Sequence, residues 1–206
     1  MIDTVKQAQS IVGSNNDGGR PEHDFYPTPR GVTLALLEVE SLPYVIWEPA
    51  CGDGAMSKVL REKGHHVISE DLIYRGYGAG GRDFLRNVDK RADCIVTNPP
   101  FNLANEFIQK AYDLGVSTVA YFMKLAALET IERSYIMERT CLSRVWVFRN
   151  RVLLTRNGED PRGGGMIAFA WFVWDRAHTG PAHLGWIQEV TREAELQMPL
   201  FAEMTT

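Results

Sequence analysis

The chain is expected to fold as a single α/β domain, a mostly parallel sheet with helices on both faces and an antiparallel C-terminal hairpin. Three features of the sequence predict it. Short apolar runs at residues 44–47, 66–69, 94–96 and 117–123 stop at turn residues, as buried strands do. Helical periodicity follows at 55–64, 103–114 and 125–139, with a further segment at 31–42 ahead of the first strand, and this β-then-α order argues for parallel pairing. From residue 144 the texture changes: apolar stretches at 144–155 and 166–174 have no helix between them, which reads as a hairpin closing one edge of the sheet.

Composition sets the outer limits. A length of 206 residues is enough for one core without staples. Residues 1–24 are polar and glycine-spotted, too poor in apolar surface to order themselves, and are expected to form a mobile arm; residues 25–190 are the domain and 191–206 a polar tail. No apolar run approaches the roughly 18 residues of a membrane span. The first ten residues lack the apolar core of a secretory signal, so a soluble cytoplasmic protein is expected. Cys51, Cys94 and Cys141 are widely spaced in apolar context and read as reduced thiols, and no metal-ligand spacing is present. A net charge of −4 carries no global nucleic-acid signature, so any such contact needs a local patch.

Residues 93–101, DCIVTNPPF, are the stretch that the others serve. A buried strand runs into Asn98, Pro99, Pro100 and Phe101, where the chain can continue neither as strand nor as helix. The two prolines fix φ, and Pro99 also holds Asn98 extended, so the turn is stiff and presents its groups at a strand tip. The Asn98 amide oxygen and the Pro99 carbonyl are two outward acceptors, and Phe101 adds a flat π-face. Together they suit a planar amine, held by both hydrogens while the ring stacks on its heterocycle. A plain Asn-Pro turn after a core strand is the alternative.

Upstream, the strand at 44–47 enters Glu48, Pro49, Ala50, Cys51, Gly52, Asp53 and Gly54 and then a helix, the first half of a βαβ unit. The next strand ends in Glu70, Asp71 and Leu72, about 20 positions after the glycine turn, where an acid accepts hydrogen bonds from ribose hydroxyls. Asp71 is preferred to Glu70 because Leu72 beside it can flank a base. Glu48 and Asp53 stand where a pyrophosphate needs neutral or positive surroundings, so a nucleoside-like ligand is favoured over a dinucleotide. Asp83 can accept from an adenine amine and Phe84 can pack on its face. Tyr26, Thr28 and Pro29 stand in a loop at a helix N-terminus. Cys51 reads as a packing residue, as do Trp171, Phe172 and Trp174.

YPTP at 26–29, EPACGDG at 48–54, the acid after the second strand, DF at 83–84 and NPPF at 98–101 resemble the S-adenosylmethionine-dependent methyltransferases of amino groups. The likeness is greatest to the DNA adenine-N6 methyltransferases, including small phage and prophage enzymes, and spans roughly residues 24–175. It implies a Rossmann-like methyltransferase domain with a seven-stranded sheet and S-adenosyl-L-methionine as cofactor. The glycine turn would hold the methionine end, Asp71 the ribose, Asp83 and Phe84 the adenine, and Tyr26 to Pro29 would close over the methionine part. Asn98 to Phe101 would position the target amine of a base flipped out of duplex DNA or presented single-stranded. The remainder of the chain is too short for the usual separate recognition domain. DNA contact is therefore expected within 150–187, from Arg156 and Arg162 and from the segment at 176–185. Rival readings are the amine of an RNA base, a protein glutamine amide, and a cofactor-binding module without turnover.

Overall fold

The computed structural model describes residues 25–154 and 167–197. Its elements are α1 (Arg30–Val39), β1 (Val45–Glu48), α2 (Ala55–Glu62), β2 (His66–Ser69), β3 (Cys94–Thr97), α3 (Ala104–Asp113), β4 (Thr118–Lys124), α4 (Ile131–Arg139), β5 (Leu142–Phe148), β6 (Phe169–Asp175), β7 (His183–Ile187) and α5 (Arg192–Glu195). The strands form one seven-stranded sheet in the order β2-β1-β3-β4-β6-β5-β7. Only β6 is antiparallel to its neighbours, and every other pair is parallel.

Both faces of the sheet are covered, as expected. Ile46, Val96, Phe122 and Trp171 pack with Val32 and Leu36 of α1 and Met56 and Leu60 of α2. Trp47, Ile95, Tyr121 and Phe172 pack on the other side with Phe107 and Ile108 of α3 and Met137 of α4. Strands buried on both faces carry apolar side chains at successive positions, which is why β3 and β4 read as unbroken apolar runs. Among the described residues no helix is long and apolar enough to cross a membrane.

Four expectations about the fold are corrected. Residues 183–185, assigned from sequence to a DNA-gripping segment, belong to β7, which pairs in parallel with β5 and takes the sheet edge. The β5–β6 hairpin therefore does not close that edge, because β6 inserts between β4 and β5. Residues 149–154 do not prolong β5: its pairing with β6 ends at Val147 and with β7 at Phe148, and just beyond, the Arg149 N–H still donates to the Ile187 carbonyl of β7 at 2.9 Å. Val152 is buried in the core without being a strand residue. The single helix expected at 125–139 is a 3-10 turn, Leu125–Leu128, and then α4. Thr130 breaks them, with φ 88° and a hydroxyl that accepts from the Arg133 N–H as the cap of α4. Arg156 and Arg162 lie outside the described residues.

Strand order reverses at β1. The chain moves from β1 to β2 on one side and returns to β3 on the other. The tips of β1 and β3 consequently flank a crevice, the place where open α/β sheets receive ligands.

Candidate active site

A cavity of about 390 Å³ opens at this crevice, a size suited to a small-molecule ligand. β1 brings Glu48 to its wall, followed by Pro49, Ala50 and Cys51. The turn that follows is tight because Gly52 and Gly54 adopt φ of 55° and 81°. The Gly52 N–H donates to Asp71 Oδ2 at 2.8 Å, and the Ile73 N–H donates to Asp71 Oδ1 at 2.8 Å. Asp71 thus lines the cavity while bracing the glycine turn. Glu70 turns away: it is buried and accepts from Trp47 Nε1 at 3.0 Å.

Asp83 and Phe84 enter from the long connection between β2 and β3. Phe84 is wedged edge-on against Trp47 at 5.1 Å and tilted against Phe107 at 4.7 Å, so its ring is a fixed wall. Asp83 Oδ1 accepts from the Leu85 N–H at 3.0 Å, which sets the carboxylate's orientation.

Glu48 is 2 % exposed and accepts a hydrogen bond from the Ser57 hydroxyl. Burial nevertheless raises its carboxyl to about 8, with the charges of Asp71 and Asp53 adding to the rise. Between its ordinary value of 4.5 and about 8, the folded chain holds a proton that the unfolded chain has lost. Stability therefore falls as pH rises through that window, by at most about 1.4 kcal/mol per pH unit from this group. A cationic ligand reverses the preference by favouring the carboxylate. Its affinity should rise as pH approaches 8, with uptake of the ligand releasing up to one proton. Calorimetry in buffers of different ionisation enthalpy checks this, and binding without proton release would mean that no cation meets Glu48. The Cys51 thiol, raised to about 12 chiefly by burial, is an inert part of the wall.

At the tip of β3, Asn98 Nδ2 donates to the Tyr26 carbonyl and to Thr28 Oγ1, each at 3.2 Å. A carbonyl can only accept, so the NH₂ end must face residues 26–28. Oδ1 is left pointing the other way, buried and, among the described residues, without a hydrogen-bond partner. An unpaired buried acceptor costs about 1–3 kcal/mol. The Tyr26 ring also stacks on Phe101 at 5.8 Å, so the 26–28 segment straps the glycine-turn side of the cavity to the Asn-Pro-Pro-Phe turn.

Of the residues singled out from sequence, Tyr26, Thr28, Glu48, Pro49, Ala50, Cys51, Asp71, Leu72, Asp83, Phe84, Asn98 and Pro100 line the one cavity. Pro29, Gly52, Gly54, Pro99 and Phe101 are not among its lining residues. Phe101 is flanked by Tyr26 and by Lys124, whose Nζ lies 4.7 Å from the ring centre. Phe25 and Arg75 were not foreseen. The Phe25 ring covers Gly52, and the Arg75 guanidinium lies 4.5 Å from that ring and 3.8 Å from Asp71. Arg75 sits in the glycine-rich loop at 74–81, which composition alone marks as a connector. Backbone bonds from Asp71 N–H to the Ala79 carbonyl and from Ala79 N–H to the Ser69 carbonyl pin that loop to β2.

No protein-family model and no curated protein matches the chain by sequence. Solved structures match it by shape. A presumed class I S-adenosylmethionine-dependent methyltransferase from Listeria monocytogenes superposes with a TM-score of 0.58 at 12% identity, over 93% of this chain and 74% of that one. A presumed RNA methyltransferase from Pyrococcus horikoshii gives 0.56 at 15% identity, over 84% and 98%. The modification subunit of a presumed type I restriction enzyme from Vibrio vulnificus gives 0.53 at 16% identity, over 92% of this chain but half (50%) of that subunit. Sheet order, cavity position and these superpositions agree: the chain has the fold of the class I S-adenosylmethionine-dependent methyltransferases.

Proposed function

We propose that the chain is an S-adenosylmethionine-dependent methyltransferase acting on the exocyclic N6 amine of adenine in DNA. The observation that carries this reading is the orphaned Oδ1 of Asn98, buried beside the cavity with its amide orientation set by the strap. What that atom lacks is an N–H donor. The cavity also suits the cofactor. Glu48 offers a buried carboxyl to its cationic amino-acid end, Asp71 an acceptor to the ribose hydroxyls, and Asp83 an acceptor to the adenine amine against the Phe84 wall.

When bound, S-adenosylmethionine supplies an electrophilic methyl on a sulfonium. The chain's own residues prepare the acceptor. Asn98 Oδ1 takes one N–H of the target amine and the Pro99 carbonyl the other, drawing the nitrogen toward sp³ and freeing a lone pair otherwise delocalised into the ring. The prolyl turn holds both acceptors still, so the contribution is orientation and electrostatics. A base within a duplex cannot reach such a site, so it is flipped out or already single-stranded.

Support for DNA comes from YPTP together with NPPF, and the fold likeness to a restriction-modification subunit accords with it. The likeness to an RNA methyltransferase favours a second reading, the amine of an RNA base. Transfer of labelled methyl from S-adenosylmethionine to DNA, RNA and protein in parallel separates them. Label in DNA is expected. Label confined to RNA selects the second reading, and label in protein or in none of the three ends the proposal.

A further inference from the structure

The edge of the sheet that carries Asn98 also carries three cations. β4 is parallel to β3, and β5 runs the same way because both β4 and β5 are antiparallel to β6. Lys124 at the end of β4, and Arg149 and Arg151 just past the end of β5, therefore emerge on the side where Asn98 leaves β3. A run of aromatic rings links them. Phe101, beside Lys124, lies 6.0 Å from Phe169; Phe169 lies 5.0 Å from Phe122, and Phe122 lies 6.0 Å from Phe148, the residue before Arg149. Arg149 and Arg151 are exposed. Among the described residues none of the three cations has a carboxylate partner. Glu189 stands beside them, its N–H donating to Asn150 Oδ1 at 3.4 Å and its carboxylate held by the Asn150 side chain, with no ion pair to either arginine among the described residues.

We propose that Lys124, Arg149 and Arg151 form a track for the phosphodiester backbone of the nucleic-acid strand whose base enters the cavity. This rests on the nucleic-acid reading above and adds where the strand lies. The tips of β4 and β5 are two strand spacings apart, about 10 Å, so their long side chains can serve neighbouring phosphates of one strand. Lys124 has a further part. Its ammonium sits on the Phe101 ring, where an arriving base would stack, so the base displaces it toward the phosphate of the same nucleotide. A glutamine side chain brings no phosphate to receive it.

The test uses the full chain and adenine-containing single-stranded oligonucleotides, DNA and RNA of the same sequence, with binding measured across salt. The K124Q/R149Q/R151Q variant should lose about two units of salt slope, roughly 0.7 per phosphate contact, and K124R/R149K/R151K should keep it. Cofactor affinity, which involves none of the three side chains, should be the same in wild type and the glutamine variant. An unchanged slope in a glutamine variant whose wild type binds and methylates the strand overturns the track alone. A wild type that binds neither strand at any salt overturns the track and the nucleic-acid reading together.

Discussion

Asn98→Ala should reduce methyl transfer by about 10²–10³-fold, the scale seen when one preorganised polar group facing a reacting centre is removed, and leave cofactor affinity nearly unchanged. The separation follows from geometry. Asn98 Nδ2 is engaged by Tyr26 and Thr28, its Oδ1 has no partner among the described residues, and the acids assigned to the cofactor, Glu48, Asp71 and Asp83, come from other segments. The substitution also frees the strap from the β3 tip, so melting temperature is measured alongside kcat to keep a folding defect apart from a catalytic one. A variant with wild-type turnover would end the amine-methylation reading.

Gly52→Ala should weaken S-adenosylmethionine binding by more than about tenfold and lower thermal stability. The added Cβ would lie 2.2 Å from Phe25 Cε2, at a residue with φ +55°. Left-handed backbone at a residue with a side chain costs roughly 1–3 kcal/mol, and the ring at the head of the strap must also move. Gly64→Ala is the matched control. Its φ of +93° imposes comparable backbone strain, yet nothing lies within 4 Å of the new methyl. Gly64→Ala should therefore lose stability and keep cofactor affinity. Equal cofactor binding by the two variants would show that the Phe25 contact does not shape the site.

The parts of the site built from short stiff turns were legible in the chain. Pro99 and Pro100 stop β3 at Asn98, and Gly52 and Gly54 turn the chain out of β1, so local chemistry alone places these groups at strand tips. Asp71, and not Glu70, lines the cavity, for a reason that the sequence does not carry. Asp71 faces the cavity because its carboxylate braces Gly52, and Glu70 turns inward to Trp47. What was not legible depended on contacts distant in sequence. β7 is five residues interrupted by Gly185, which is tolerated because the Trp146 ring lies over it. Phe101 looked like an open stacking face because neither Tyr26 nor Lys124 is near it in sequence. Arg75 was hidden in a loop whose glycines suggest a connector, until its backbone is seen pinned to β2. The same limit applied to Arg149 and Arg151, read as part of a strand and exposed at its end.

The claim that Asn98 Oδ1 is held for an exocyclic amine is tested most directly by the identity of the methylated atom. DNA methylated by the wild-type chain with labelled S-adenosylmethionine, digested and resolved by nucleoside, should carry its label as N6-methyldeoxyadenosine. Label on a ring nitrogen, a ring carbon or a sugar hydroxyl would contradict it, since none of these is an exocyclic amine.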